Sequence, residues 1–180
     1  MIIFTGVAGS GKSLQGKLLA DTCGYPWLST GEFLRMVISG ERRKHMLEGK
    51  LLEDDEIIAV VHKIFAMVDT RQEFVLDGFP RTTGQAQWLL DLVSNEETYI
   101  SVVIHLTASK EVVEQRLLNR GRTDDHKEAI DERLHEYEQN IKPILTTFVS
   151  EGINVKEVDA ERSKEEVHQD VLKIVQSEGQ

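Results

Sequence analysis

Short apolar runs alternate with longer amphipathic stretches along the whole chain of 180 residues. The short runs are rich in Ile, Val or Phe and are too brief for helices, so they predict strands. These strands lie at residues 1–5, 26–28, 74–76, 101–106 and 154–158. The amphipathic stretches have helical spacing and predict helices at residues 12–22, 31–38, 53–68, 83–93, 110–119, 127–149 and 164–177. We expect Asp124 or Asp125 to cap the helix that begins at residue 127, and Ser163 to cap the last helix.

Strands and helices alternate in this order, which predicts an α/β fold. Consecutive parallel strands need a crossover connection, and a helix supplies it. We therefore expect a single domain over residues 1–180, with a five-stranded parallel sheet and helices on both of its faces. Ligands of such sheets bind at the carboxyl ends of the strands. Residues that directly follow strands are therefore the first candidates for a functional site.

The composition is that of a globular protein, and its charge limits the partners that it can bind. The chain is 40% hydrophobic and 29% charged, and its formal net charge of −10 opposes binding to nucleic acid or to anionic membranes. No apolar run approaches the roughly 20 residues of a membrane-spanning helix. The apolar start is too short for a signal peptide, so we expect a cytoplasmic protein. The single cysteine, Cys23, cannot form an internal disulfide or a Cys-rich zinc site.

A glycine-rich phosphate-binding motif follows the first predicted strand. The sequence from Gly6 to Ser13, GVAGSGKS, matches the G-x-x-x-x-G-K-[ST] pattern in full and leads into the first predicted helix. Backbone N–H groups of such a loop, together with the helix N-terminus, bind phosphate oxygens. We expect Lys12 to reach the β- and γ-phosphates and the Ser13 hydroxyl to coordinate Mg²⁺. The motif indicates a nucleoside triphosphate, but switches, motors and kinases share it.

Two further segments follow predicted strands and contain arginine. Asp77 ends an apolar strand, where a carboxylate beside a phosphate loop can hold Mg²⁺ or its waters, and Arg81 comes four positions later. Arg35 lies one turn inside the helix after the second strand and can bind a phosphate with two hydrogen bonds. In isolation, the alternative is that Asp77 only begins a turn and that Arg81 is a solvated side chain. Arg35 in isolation is consistent with a surface pair to Glu32.

Four segments, in order, make the chain resemble the adenylate kinase family of nucleoside monophosphate kinases over essentially its whole length. They are residues 6–15, 29–35, 77–85 and 116–122. The resemblance implies the three-layer P-loop fold and a phosphotransferase that moves the γ-phosphate of Mg·ATP to AMP and yields ADP. The chain departs from the usual family residues at Ala8, Ser13, Leu14 and Glu32. None of these departures removes a charge that the reaction needs.

The resemblance also implies which residues bind each nucleotide. ATP is expected at Gly9, Ser10, Gly11, Lys12, Ser13, Leu14, Arg116 and Arg120. AMP is expected at Thr30, Arg35, Leu51, Leu52, Gly78, Arg81, Gln85, Arg122 and Arg133. Ser13 and Asp77 are expected to hold Mg²⁺, largely through phosphates and water. Residues 30–61 are then a small monophosphate-binding subdomain, and Gln85 reads the adenine edge.

A set of cations is expected to act on the transferred phosphoryl group. Charge spreads over the equatorial oxygens in the transition state, so catalysis needs positioning and positive charge rather than a general base. The expected catalytic residues are Lys12, Arg81, Arg116, Arg120, Arg122 and Arg133. From spacing alone, Arg116 and Arg120 share one helix face and are equally consistent with a solvated helix end. The chain is shorter than the family between Arg120 and Asp125, so residues 120–126 are expected to form a minimal lid loop.

Other functions remain open at the level of sequence. A UMP/CMP kinase is the nearest alternative; Gln85 and Thr30 favour AMP, because pyrimidine kinases typically have asparagine in the stretch after Arg81. A P-loop kinase of small metabolites and a nucleotide-binding switch are further alternatives, although the chain lacks the N-K-x-D motif of guanine-reading switches. By analogy with the family, we expect a monomer that uses Mg²⁺ and ATP, binds AMP and ADP, and needs no structural zinc.

Overall fold

The computed structural model describes residues 1–178. Its sheet has five strands, which are β1 (Ile2–Gly6), β2 (Trp27–Ser29), β3 (Val75–Asp77), β4 (Val102–Thr107) and β5 (Val155–Asp159). Neighbouring strands are all parallel, and their order across the sheet is β2-β3-β1-β4-β5. The predicted five-stranded parallel sheet is therefore confirmed.

Eight helices are found within residues 1–178. They are α1 (Lys12–Cys23), α2 (Thr30–Val37), α3 (Gly40–Leu47), α4 (Asp54–Phe65), α5 (Thr83–Ser94), α6 (Lys110–Arg120), α7 (Lys127–Ser150) and α8 (Lys164–Glu178). The sequence pattern missed only α3 among them. That helix has the sequence GERRKHML and buries none of its side chains, so the apolar periodicity that indicates a helix is absent there. None of the helices in the described part of the chain has the length and apolar character that crossing a membrane requires.

The N-terminal ends of α7 and α8 test two local predictions. His126 caps α7, since its ring Nδ1 accepts a hydrogen bond from a backbone N–H of the first turn at 3.4 Å. The prediction that Asp124 or Asp125 caps α7 is wrong, because both carboxylates are buried and bind arginine side chains instead. Ser163 and Glu166 exchange hydrogen bonds between side chain and backbone N–H, at 3.3 and 3.1 Å. This reciprocal arrangement is a capping box, as the prediction for α8 required.

Each face of the sheet packs against its own layer of helices. Successive side chains of a strand point to opposite faces, and Ile3 and Leu76 lie on one face in a buried cluster with α4, α5 and α7. Phe4 and Val75 lie on the other face, in a buried cluster with α1 and α8. The sheet between two layers of helices gives the three-layer architecture expected from the sequence.

The order of the strands determines where a ligand can bind. β3 and β2 lie on one side of β1, and β4 and β5 lie on the other, so the direction of chain progress across the sheet reverses at β1. Loops that diverge at such a point leave a crevice at the carboxyl ends of the strands. The glycine-rich loop after β1 lies at this crevice.

Candidate active site

A cleft with a volume of about 380 Å³ opens at the carboxyl ends of the strands. Loops after β1 and β3 contribute to its walls, together with the end of β2 and with α2, α6 and α7. Apart from Ser10, a buried residue of the phosphate loop, every predicted site residue lines this one cleft. These residues are Gly9, Gly11, Lys12, Ser13, Leu14, Thr30, Arg35, Leu51, Leu52, Asp77, Gly78, Arg81, Gln85, Arg116, Arg120, Arg122 and Arg133.

The phosphate loop needs glycine at two positions for steric reasons. Gly6 has a φ of 140°, and a Cβ there would lie 2.4 Å from the carbonyl oxygen of Leu106 on the neighbouring strand. A Cβ on Gly9, with a φ of 88°, would lie 2.9 Å from a side-chain carbon of Leu117 in α6. Both contacts are closer than a real Cβ tolerates, so the loop can pack against β4 and α6 only with glycine.

The N-terminus of α1 is open to an anion. Its N-cap is Gly11, which has a left-handed conformation and no side chain that could accept hydrogen bonds from the first turn. The N–H groups at a helix start carry a partial positive charge. Together with the loop, they form a site of the kind that binds phosphate.

Lys12 folds back over the phosphate loop. Its Nζ donates a hydrogen bond to the carbonyl oxygen of Val7 at 2.8 Å. Burial of the ammonium lowers the pKa of Lys12 from its usual 10.5 to about 8; Asp77 opposes this shift, and nearby arginines add to it. A desolvated ammonium beside several other cations is poised for an anionic ligand, which would restore the pKa.

Asp77 lies between the phosphate loop and the segment after β2. Its Oδ2 accepts hydrogen bonds from the hydroxyls of Ser13 at 2.6 Å and Ser29 at 3.0 Å. Its Oδ1 is buried and has no hydrogen-bond partner within residues 1–178. A buried carboxylate oxygen is costly to leave unpaired. The carboxylate and the Ser13 hydroxyl are oxygen donors of the type that Mg²⁺ prefers.

Two guanidinium groups converge on the other side of Asp77. A Cβ built on Gly31 would lie 3.3 Å from Nη1 of Arg35 and 3.6 Å from Nη2 of Arg81, so both side chains lie close to the start of α2. Nε of Arg81 donates to the carbonyl oxygen of Gly78 at 2.9 Å. Like charges this close favour an anion between them. This pair, which we call the arginine pair, can bind a phosphate.

Thr30 and Gly78 connect the arginine pair to β3. The Thr30 hydroxyl lies 3.2 Å from the carbonyl oxygen of Asp77 and 2.9 Å from that of Gly78, and donates toward both. Gly78 has a φ of 79°, and a Cβ there would lie 3.1 Å from both the Thr30 hydroxyl and Nη2 of Arg81. The turn after β3 therefore holds Arg81 close to the start of α2.

Arg120 of α6 and Arg133 of α7 are bound to the carboxylates of the turn between the two helices. Arg120 donates to both oxygens of Asp125, from Nε at 2.8 Å and from Nη2 at 2.6 Å. Arg133 donates to the Asp124 carboxylate and, from Nη1 at 3.0 Å, to the Asp124 carbonyl oxygen. Nη2 of Arg35 lies 3.9 Å from the Asp124 carboxylate, so Arg35 approaches this acid rather than Glu32. We refer to residues 120–126 as the arginine turn.

The two acids of the arginine turn were not recognised as site residues in the sequence. Burial raises the pKa of Asp125, but hydrogen bonds from Arg120 and from the backbone N–H of Arg122 outweigh it and hold the pKa below its usual range. Asp124 and Asp125 are both buried. Their arginine partners lie on α2, α6 and α7, so no local pattern in the sequence marks these acids as site residues.

Arg116 occupies a different position from the other arginines. Its Nη2 donates to the carbonyl oxygen of Ala160 at 2.8 Å, which joins α6 to the chain just after β5. Arg116 therefore lies on the side of the cleft that is next to the loop after β5.

One face of α7 also lines the cleft, and the sequence interpretation used only its Arg133. Glu136, Tyr137 and Asn140 lie three, four and seven positions further along the same helix and contribute to the same wall. The spacing places them on one helix face, so their recurrence after Arg133 was a detectable signal. The hydroxyl of Tyr137 lies 3.1 Å from Nε2 of the buried His105, which supports this wall from the sheet.

Comparison with known proteins gives one consistent result. The family model described as adenylate kinase matches residues 4–153. An adenylate kinase of Leptospira biflexa is 31% identical over 184 residues, covering 97% of this chain and 98% of the relative. Adenylate kinase 1 of a Synechocystis species is 33% identical, with 97% and 96% covered. An adenylate kinase of Corynebacterium glutamicum is also 33% identical, with 97% and 98% covered.

Proposed function

The chain belongs to the adenylate kinase family, and on that premise we propose that it transfers the γ-phosphate of Mg·ATP to AMP and yields ADP. One observation carries this proposal. The phosphate loop and the arginine pair line the same cleft, and Asp77 contacts Ser13 on one side and Thr30 on the other. A site with two phosphate-binding ends suits transfer between two nucleotides rather than hydrolysis of one.

The two ends have separate roles in the proposed reaction. The phosphate loop holds the triphosphate through backbone N–H groups, and Lys12 contacts its β- and γ-phosphates. Arg35 and Arg81 hold the AMP phosphate, one oxygen of which attacks the γ-phosphorus. The bond from that phosphorus to the bridging oxygen breaks, and ADP leaves with the electron pair. The attacking oxygen is already anionic, so no side chain needs to remove a proton.

Ser13 and Asp77 are the residues that would hold Mg²⁺ with its water ligands. The unpaired buried oxygen of Asp77 and the adjacent Ser13 hydroxyl fit a hard cation. When bound, Mg²⁺ neutralises charge on the phosphate oxygens. Ser13 would offer its hydroxyl oxygen to the cation, and Asp77 would accept hydrogen bonds from the waters around it.

The arginine turn supplies further positive charge. Arg120, Arg122 and Arg133 line the cleft beside the phosphate loop. We propose that Arg120 and Arg133 exchange Asp125 and Asp124 for phosphate oxygens when both nucleotides are bound. Charge on the transferred group is greatest in the transition state, so the exchange favours that state over the ground state. Arg116, beside the loop after β5, lies over the donor base, and residues 120–126 act as a minimal lid.

The acceptor base binds between two regions of the cleft wall. Leu51 and Leu52 provide an apolar surface, and Gln85 provides the polar groups that contact the base edge. Residues 30–61, which include α2 and α3, form the mobile subdomain that closes over the monophosphate. In the proposed reaction, this segment and the lid both move when the nucleotides bind.

A pyrimidine monophosphate kinase is the second candidate, and the names of the relatives favour adenylate kinase over it. A coupled assay of ADP formation separates the two, with Mg·ATP and each of AMP, CMP, UMP and GMP in turn. We expect turnover with AMP to exceed the others by far. Preference for CMP or UMP would mean that the acceptor is a pyrimidine monophosphate rather than AMP. Formation of ADP from ATP alone would indicate a hydrolase. A monomeric, cytoplasmic enzyme remains a prediction, which size-exclusion chromatography tests for the oligomeric state.

A further inference from the structure

Gln85 is held by a carboxylate that the sequence interpretation did not use. Its Nε2 donates to Oδ1 of Asp54 at 2.8 Å, and its Oε1 accepts from the backbone N–H of Arg81 at 2.8 Å. We infer that Asp54 is a positioning residue that fixes the amide of Gln85 in one orientation. The acceptor site then takes a 6-aminopurine and rejects a 6-oxopurine. This inference rests on the proposed function, in which Gln85 contacts the acceptor base.

The two partners of Gln85 allow one orientation of its amide. A carboxylate oxygen only accepts, and a backbone N–H only donates. The amide nitrogen must therefore face Asp54, and the amide oxygen must face the N–H of Arg81. Rotating the amide by half a turn would bring two acceptors together on one side and two donors on the other. Gln85 is 1% exposed, so water cannot relieve such a mismatch.

Two interactions besides the contact with Gln85 hold Asp54 in place. It is the first residue of α4, where the helix N-terminus favours a negative charge. Its Oδ1 also accepts a hydrogen bond from the hydroxyl of Thr82 at 2.7 Å, and Thr82 caps α5, the helix that contains Gln85. A Cβ on Gly84 would lie 2.5 Å from Oδ2 of Asp54. The absence of a side chain at residue 84 therefore lets the carboxylate approach.

The fixed amide retains a defined capacity for the base. A glutamine amide has two N–H donors and an oxygen with two lone pairs; Asp54 and Arg81 use one of each. One donor and one lone pair remain, at fixed positions in the wall of the cleft. The 6-amino group of adenine donates, and the adjacent ring nitrogen accepts, which complements this pair. Inosine and guanosine monophosphates present an oxygen at position 6 and a protonated N1, so both contacts are mismatched.

The contrast between AMP and IMP is the sharpest probe, because the two purines have the same size and differ at this edge. We would measure kcat/KM for AMP and for IMP in the wild type and in Asp54→Ala, Asp54→Asn, Gly84→Ala and Gln85→Ala. Asp55→Ala is the matched control, because Asp55 is exposed in the same first turn of α4. KM for ATP is measured in parallel, and circular dichroism checks the fold.

The expected result is a fall in the AMP-over-IMP ratio of about tenfold or more in Asp54→Ala, with KM for ATP unchanged. Gly84→Ala gives a fall in the same direction, since its Cβ displaces the carboxylate. Asp54→Asn retains an acceptor oxygen, so its AMP-over-IMP ratio lies between those of Asp54→Ala and the wild type. Asp55→Ala keeps the wild-type ratio. A structural role alone would lower turnover with both purines equally and leave their ratio unchanged.

The outcomes separate this inference from its premise. If the wild type does not prefer AMP to IMP, or if Gln85→Ala leaves the preference intact, the role of Gln85 in the proposed function is wrong and the inference fails with it. If Gln85→Ala abolishes the preference while Asp54→Ala and Gly84→Ala retain it, the proposed function stands and the role of Asp54 is wrong. A fall in the ratio in both Asp54→Ala and Gly84→Ala, absent from Asp55→Ala, supports the positioning role even if Asp54→Ala is less stable.

Discussion

The phosphate loop and the arginine turn both line the cleft, but they are held in place by different interactions. The loop owes its shape to backbone conformations that glycine permits, and it packs directly against β4 and α6. The arginine turn owes its shape to side-chain ion pairs, in which Asp124 and Asp125 bind Arg133 and Arg120. In the proposed reaction, the backbone of the loop receives phosphate in the shape that it already has, whereas Arg120 and Arg133 first leave their carboxylates. The proposed reaction therefore combines a backbone site that is formed in advance with side chains that change partners.

The comparison explains why acidic residues lie at a site that we propose binds anions. Several arginines close together repel one another, and buried carboxylates offset this repulsion while no phosphate is bound. Replacing a carboxylate by a phosphate oxygen keeps each guanidinium paired. The exchange therefore costs less than uncovering an arginine would.

Lys12→Ala tests the preformed region and should have the largest effect. It removes the cation aimed at the transferred phosphate, so we expect turnover to fall by about a thousandfold. The free energy of unfolding should change little or increase, because the lost ammonium is desolvated in the folded protein. Steady-state turnover and urea unfolding measure the two quantities. Lys17→Ala, on the exposed face of α1, is the control. A comparable loss of turnover in Lys17→Ala would contradict the assignment of Lys12 as the cation that acts on the phosphate.

Arg120→Ala tests the exchanging region and should reduce both turnover and stability. We expect turnover to fall about a hundredfold through the lost transition-state charge. The free energy of unfolding should fall by about 3 kcal/mol, because Asp125 is left buried without its main partner. Near-normal turnover would contradict the assignment of Arg120. Arg71→Ala, at an exposed position away from the cleft, should change neither quantity.

The pH dependence of kcat/KM is a second test of Lys12 in the phosphate loop, and we expect a smaller effect than that of the two substitutions. The pKa of Lys12 is about 8 in the folded protein, so kcat/KM should fall about tenfold for each pH unit above that value. Between pH 8 and 10.5 the unfolded state binds more protons at this group, so its contribution to stability rises with pH. Activity and this contribution to stability therefore change in opposite directions. A flat kcat/KM profile up to pH 10 would contradict the lowered pKa.

The same comparison explains which parts of the site the sequence could predict. The phosphate loop is contiguous, and each of its residues acts through local backbone geometry, so its motif identifies it. Asp124 and Asp125 have partners on α2, α6 and α7, and no local pattern specifies such a pairing. Their position before a helix instead predicts helix caps, which is the usual role of aspartate there.

The fold follows the same rule. Strands and most helices are visible as apolar periodicity, because burial selects the pattern. α3 buries no side chain, so its sequence has no apolar periodicity. Asp54 falls within the helix predicted at residues 53–68, but its contact with Gln85 joins residues far apart in the sequence, so the local pattern does not predict that contact.

Asp125→Asn should have the smallest effect on turnover and tests the ion pairs of the arginine turn directly. Arg120 donates to both carboxylate oxygens, and asparagine offers only one oxygen, so the free energy of unfolding should fall by about 1–3 kcal/mol at neutral pH. The folded pKa of Asp125 lies below its usual 3.8. The stability from its ionised form is therefore present above pH 3.8 and is lost as the pH falls through the folded pKa. Urea unfolding of both proteins from pH 7 downward should show the difference narrowing at the acid end.

Asp131→Asn is the matched control, because Asp131 is exposed and lies 3.7 Å from Lys110 at the surface. Its effect should stay within about 0.5 kcal/mol at every pH. An Asp125→Asn variant that matches this control would mean that the arginine turn is not held by its ion pairs. A difference that does not narrow with falling pH would assign the loss to packing rather than to charge. In either case the contrast with the glycine-shaped phosphate loop would need a different physical cause.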